Sequence, residues 1–185
     1  EVRSRSNKSN IATKKKMIEI EIPKSTIKYA EDKLGKVKPK NNLGLSKFGS
    51  EKSRILVGYI GEKIIMDFLE LDKDIDDYDY DLISSKNKRL EVKTITCKFK
   101  PKLDYLCTVN SHNLDGIHKQ KADFYIFLRI LNNYKKGWIL GWISCDDFFK
   151  KGQFVAKGKD FGKFKFVKAN ATTLPINKLK KFVYS

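Results

Sequence analysis

The sequence predicts an α/β domain: a mixed central β-sheet flanked by helices, with a basic extension at its N-terminal end. Three observations carry this. Apolar residues recur with helical spacing from Leu56 to Phe68, an almost unbroken apolar and aromatic run fills Phe124 to Leu131, and shorter strand-like segments lie on either side of that run. A helical stripe has to bury itself against another layer, and a strand that is apolar on both faces has to be covered on both. With 185 residues, 41% of them hydrophobic, the chain can supply one domain that buries about two thirds of its unfolded surface.

Residues 1–48 read as the extension: lysine-rich and aromatic-poor, with Lys14, Lys15 and Lys16 in succession and Lys36, Lys38 and Lys40 alternating. Part of it is expected to be flexible and part to hold local structure. Met17 to Ile22 alternates like a short strand ended by Pro23, and Ile27 to Leu34 can form a few helical turns from a Ser25 cap.

The domain proper is expected over residues 49–185. From a cap at Ser50 or Ser53 a helix is predicted, in which Leu56, Ile60, Ile64 and Phe68 form a line widened by Ile55, Tyr59, Ile65 and Leu69. Gly58 and Gly61 each cost a helix interior about 1 kcal/mol relative to alanine, so the sequence implies that something approaches the helix backbone closely there. Glu62 follows directly, off the apolar line and near Gly58, in a position to turn its carboxylate toward the sheet.

An acidic stretch leads out of this helix: Asp67, Glu70, Asp72, Asp74, Asp76, Asp77, Asp79 and Asp81, with Lys73 as its one basic residue. The whole chain carries a formal net charge of +17. A polyanion is therefore drawn to the remainder and repelled by this stretch unless cations occupy it. A solvated acidic loop is the simpler reading for most of these side chains.

Next comes a predicted hairpin: a strand from Tyr80 to Ser84, a turn at Lys86, Asn87 and Lys88, and a strand from Arg89 to Thr96. Strand alternation sets Glu91 and Lys93 on one face and Val92 on the other. A three-residue turn places Asp81 opposite Lys93 on that same face, one diagonal step from Glu91, whereas a two-residue turn sends Asp81 to the other side. Two carboxylates and an ammonium gathered in this way suit metal-assisted phosphodiester hydrolysis. The carboxylates supply the hard oxygen ligands a divalent cation needs, and the lysine orients a water or offsets phosphate charge.

Downstream, Lys102 to Val109 reads as a third strand. The polar stretch Asn110 to Lys121 carries His112 and His118, whose spacing of six suits no helical metal pair. Phe124 to Leu131 is the expected middle of the sheet, followed by a turn over Asn132 to Gly137, a strand from Trp138 to Ser144 and a short helix Asp146 to Lys151 capped near Ser144. Lys157 to Lys168 interleaves Phe161, Phe164 and Phe166 with lysines, a pattern that fits base stacking between phosphate contacts or a plain core-and-water alternation. The stretch Thr173 to Phe182 is expected to finish as a small helix started by Pro175.

Cys97, Cys107 and Cys145 are too widely spaced for a zinc knuckle or a redox pair and read as reduced packing residues. No apolar run approaches the roughly 18 residues that cross a bilayer, and the basic start lacks the apolar segment of a secretory signal. The expected location is the cytoplasm, with nucleic acid as the partner and no membrane.

With the helix bearing Gly58, Gly61 and Glu62, the Asp81-Leu82-Ile83 strand and the Glu91-Val92-Lys93-Thr94 strand in that order, residues 50–144 resemble the PD-(D/E)XK, or restriction-endonuclease-like, nuclease superfamily. Tyr80 stands where the family motif has proline. The resemblance implies a restriction-endonuclease-like core and a Mg2+-dependent deoxyribonuclease, an endonuclease, with Mn2+ able to substitute. It implies Asp81 and Glu91 as metal ligands, the backbone carbonyl of Val92 as a third, Lys93 as the catalytic lysine and Glu62 as an additional helical acid. Asp79, two residues earlier on the same face, is the rival to Asp81. DNA is the implied substrate and a homodimer is compatible with it; RNA processing and non-catalytic binding of nucleic acid are the alternatives.

Overall fold

The apolar run Phe124–Leu131 lies third of five in the main sheet, where its two-sided apolar character requires it to be. The structure, a computed structural model, describes residues 17–36, 45–71, 80–110, 121–161, 164–165 and 170–182. In chain order its elements are β1 (Ile18–Glu21), α1 (Lys24–Lys36), α2 (Leu45–Phe68), β2 (Leu82–Ile83), β3 (Arg89–Cys97), β4 (Leu106–Asn110), β5 (Phe124–Leu131), β6 (Lys136–Ser144), α3 (Cys145–Lys151), β7 (Gln153–Val155), β8 (Asp160–Phe161), β9 (Phe164–Lys165), β10 (Ala171–Pro175) and a 3-10 turn, Ile176–Lys178. The main sheet runs β1-β6-β5-β3-β2. It is mixed: β3 and β5 are parallel, and the other neighbours are antiparallel.

Alternate residues of β5 enter two different cores. Ile126, Leu128 and Ile130 pack with Val57, Ile60, Ile64 and Ile65 of α2 and with Leu82, Leu90 and Val92. Tyr125 and Phe127 face the other way, toward Phe148 of α3, Cys107 and Val109 of β4, Leu174 of β10 and Ile176. The expectation of helices on the sheet is met on one face by α1 and α2. The second face carries a three-stranded antiparallel sheet, β4-β10-β7, together with the short α3.

On β6 the apolar positions change parity: Trp138 and Leu140 share the second core with Ile143. The register supplies the reason. Phe127 pairs with Gly141 and Leu128 with Ile139, so Leu140 is an extra residue and the strand bulges. Gly141 sits at φ +140°, and a Cβ there would overlap the carbonyl oxygen of Lys180, so only glycine fits.

The strand and helix anticipated at residues 17–22 and 27–34 are present. β1 pairs with β6 at the sheet's edge, and Ala30 of α1 is fully buried in the first core. The hairpin of β5 with β6 and the Ser144 cap, whose Oγ accepts from Asp147 N at 3.3 Å, also match expectation. Other boundaries differ. Helix α2 starts at Leu45, earlier than the Ser50 or Ser53 cap, and the strand anticipated over 80–84 pairs only at Leu82 and Ile83. The anticipated strand at 102–109 is β4, which joins the second sheet. The anticipated helix from Pro175 is a single 3-10 turn after β10, because Ala171 to Pro175 are taken up by pairing with β4. His112, His118, Phe166 and Asp79 lie outside the described residues. No helix among the described residues is long and apolar enough to cross a membrane.

Gly61 accounts for the glycine signal in α2. A Cβ at that position would overlap Thr94 Oγ1 and lie 2.8 Å from Thr94 Cβ, so the bare backbone lets α2 press directly on β3. Gly58 makes no comparable contact; its nearest neighbour would be Glu62 Oε1 at 3.9 Å. Gly61→Ala is expected to destabilise the fold by about 1–3 kcal/mol through overpacking, against the helix-propensity gain. Adding Thr94→Ala should restore part of that loss, as measured by denaturant midpoints of the single and double variants.

Candidate active site

The start of β3 is held from both sides. Toward β5, the Asp123 carboxylate accepts from Arg89 N at 2.8 Å, Nε at 3.1 Å and Nη2 at 3.1 Å, while Asp123 N donates to Arg89 O at 2.9 Å. The guanidinium holds the Asp123 carboxyl below the usual carboxylate range. Toward β2, Ser84 N donates to Lys88 O and Lys88 N donates to Ser84 Oγ, closing a turn with Asn87 at φ +55°, a conformation asparagine tolerates.

The turn therefore spans 85–87, not the anticipated 86–88. Leu82 pairs with Leu90, and carrying that register on by one residue sets Asp81 level with Glu91, not with Lys93. The offset is two residues, an even number, so Asp81 keeps the face shared by Glu91 and Lys93.

At Asp81 the ladder departs from regularity. Asp81 N donates to Leu90 O at 2.9 Å, and no β2 residue beyond Leu82 pairs with β3. The next outward-facing amide of β3, Val92 N, donates instead to Asp81 Oδ2 at 2.6 Å. The Val92 carbonyl points the same way as its N–H, by the alternation of a strand.

Glu91 is buried, and its Oε1 accepts from Lys93 Nζ at 2.5 Å; the lysine is partly exposed. Behind Glu91 in the parallel register stands Tyr125, buried, with its phenol pushed far up by desolvation and so neutral. Glu62 reaches the same corner from α2, on the opposite face of the sheet. Its carboxylate is held by Lys33 of α1 at 3.0 Å, with both side chains largely buried and the Lys33 ammonium 4.5 Å over the Tyr59 ring.

Of the anticipated residues, Lys93 is paired with Glu91, and Glu91, Glu62 and Lys93 each act on the charge of Asp81. The Asp81 carboxyl is pushed from 3.8 up to about 8, first by desolvation and then by the Glu91 and Glu62 carboxylates, against the Val92 amide and Lys93. With Glu91 paired to Lys93 and Glu62 to Lys33, the Asp81 carboxyl keeps its proton below about pH 8, and an added cation would compete with that proton.

Two carboxylates and a main-chain carbonyl form a donor set that suits Mg2+, which keeps several of its waters and takes one or two protein carboxylates. Among the described residues no three His, Cys, Asp or Glu side chains gather closely enough to hold a metal by themselves. Any cation here thus relies on the carbonyl, water or substrate oxygens as well. The three cysteines take no part: all are free thiols, and burial pushes Cys107 and Cys145 up to about 12.

Lys33 was not legible as a site residue, because only the packing of α1 on α2 brings it to Glu62. The Arg89–Asp123 clamp was equally hidden, its partners being 34 residues apart. No protein-family model matches the chain, and no curated protein matches it.

Between pH 4 and 8 the folded chain retains a proton on Asp81 that the unfolded chain has released near 3.8. Stability in metal-free buffer should accordingly fall as pH rises through that window. Asp81→Asn keeps an acceptor for Val92 N–H and removes the charge, and is expected to flatten this dependence. Urea midpoints in EDTA at pH 5, 6.5 and 8 measure it; identical slopes for parent and variant would exclude Asp81 as the cause.

Proposed function

We propose that the chain is a metal-dependent nuclease that hydrolyses phosphodiester bonds of DNA, an endonuclease built on a restriction-endonuclease-like core. The observation that carries this reading is the joining of Asp81 to Val92 and of Lys93 to Glu91 at the open edge of β3, where desolvation and the Glu91 and Glu62 carboxylates push the Asp81 carboxyl up. Asp81, Glu91, Val92 and Lys93 are the residues that the resemblance to the PD-(D/E)XK superfamily names, and this supports the reading. The net charge of +17 supports a polyanionic substrate.

In this reading Asp81, Glu91 and the Val92 carbonyl would hold Mg2+, or Mn2+ in its place. When bound, such a cation polarises a phosphoryl oxygen and lowers the pKa of a bound water. The remaining roles fall to the chain's own groups. Lys93 stands beside Glu91 as a positive charge for the scissile phosphate, and the Glu91 carboxylate orients it. Glu62, tied to Lys33, adds negative field from α2 that favours either a proton or a cation at Asp81. Tyr125 walls off Glu91 from behind.

A second reading, a non-catalytic nucleic-acid-binding protein, draws on a specific feature as well: Asp81 caps a strand amide and Lys93 neutralises a buried carboxylate, both purely structural tasks. Cleavage separates the two. Supercoiled, linear, single-stranded and four-way-branched DNA, and RNA, are incubated with the protein with and without Mg2+. The nuclease reading expects Mg2+-dependent nicking of DNA. Lys93→Ala and Asp81→Asn should each lower the rate by roughly 10²- to 10⁴-fold while the circular dichroism spectrum is retained. A Lys93→Ala protein that cuts as fast as the parent removes Lys93 from the mechanism, and a parent that cuts nothing on the panel leaves the binding reading in place.

A further inference from the structure

Past Lys93 the chain leaves β3 through Lys98-Phe99-Lys100-Pro101-Lys102-Leu103-Asp104-Tyr105, and this segment combines two properties that seldom coincide. It is tightly anchored. Cys97 O accepts from Asn132 N at 3.1 Å, Leu103 O from Asn177 N at 2.9 Å and Tyr105 O from Ile176 N at 2.9 Å. Pro101 is buried, Lys100 bonds Glu19 of β1 at 3.2 Å, and the Arg129 guanidinium lies 5.2 Å from the Tyr105 ring centre while donating to Leu106 O.

Yet the segment holds large apolar side chains out in water: Phe99 is 77% exposed, Leu103 46% and Tyr105 38%, and Ile95, two residues beyond Lys93 on β3, is 50% exposed. An anchored backbone that presents an aromatic ring to solvent has already lost the backbone part of the conformational entropy that binding would otherwise cost. The exposed Lys98 and Lys102 flank these rings.

We propose that the Lys98–Tyr105 segment is a stacking platform for single-stranded nucleic acid, on which Phe99 takes a base, Tyr105 supports a neighbouring one, and Lys98 and Lys102 take phosphates. The choice of partner rests on charge. A protein partner or a second copy of this +17 chain would meet a lysine-framed patch with unfavourable repulsion or with no particular match, whereas a phosphate backbone with unstacked bases matches both components. Duplex DNA keeps its base faces stacked inside and offers only phosphates. The proposal deepens the nuclease reading, and rests on it only for nucleic acid as the partner. Ile95 makes the apolar exposure begin on the strand that carries Glu91 and Lys93, so a single strand on the platform leads toward that corner.

The test is fluorescence anisotropy with labelled oligothymidylate, oligouridylate and a mixed-sequence DNA duplex in EDTA, with heparin as a polyanion lacking bases. Phe99→Ala should weaken both single-stranded probes by roughly 5- to 150-fold, the range for loss of one stacked base, and leave heparin and duplex affinity within about twofold of the parent. Phe99→Trp should retain affinity and show indole quenching on saturation with oligothymidylate. Oligothymidylate affinity unchanged in Phe99→Ala, or a dimer in sedimentation that Phe99→Ala dissociates, overturns the proposal. If Phe99→Ala binds normally while Lys93→Ala abolishes Mg2+-dependent cutting, the platform fails and the nuclease stands. If Phe99→Ala loses single-strand binding while the parent cuts nothing, the platform stands and the nuclease fails.

Discussion

The amide of Val92 has to find an acceptor at a point where the neighbouring strand has already stopped pairing, and the Asp81 carboxylate provides it. Leaving such a group unpaired costs about 1–3 kcal/mol, enough to hold the carboxylate against the edge of β3 despite the repulsion it meets there. That one bond holds Asp81 in a buried position near Glu91, where desolvation first and the Glu91 and Glu62 carboxylates second raise the Asp81 carboxyl to about 8. The short β2 is thus a working part of the corner. A longer β2 would satisfy Val92 with backbone and leave Asp81 no reason to turn inward.

The position of β3 is in turn set by its neighbours. Arg89 and Asp123 lock its start to β5, and Gly61 admits Thr94 so closely that α2 lies against the strand with Glu62 on the next residue. Helix α1 then contributes Lys33 to Glu62. The basic N-terminal stretch is therefore more than a source of net charge: residues 18–36 complete the sheet and neutralise one of the acids near the candidate site.

Much of the hairpin was legible because its constraints are local. Alternation places Glu91 and Lys93 together whatever the rest of the chain does, and Ser84, Asn87 and Lys88 are a plausible turn chemistry within a few residues. The error in turn position was one residue and the parity survived it. The Thr173–Phe182 helix failed for the opposite reason. Pro175 and the residues after it have helical start signals, but Ala171 to Pro175 find β4 more than sixty residues away, and ladder hydrogen bonds outweigh a weak local preference. Lysines alternate with aromatic residues over 157–168 and surround Phe99 over 98–102, and sequence alone does not tell these apart, since exposure separates a stacking surface from a core face and exposure is a tertiary property.

The sequence by itself determined the period of each strand and helix, the central place of Phe124–Leu131, the shared face of Glu91 and Lys93, and the need for a close contact at a glycine of α2. These follow from side-chain periodicity and backbone sterics acting over a few residues. Only the tertiary structure decided that the second face is covered by another sheet, that Lys33 answers Glu62, that Asp81 caps Val92 and that Phe99 stands in solvent on an anchored segment. Each of those depends on which distant groups are brought together once the two cores close, because burial and hydrogen-bond satisfaction are properties of the packed whole.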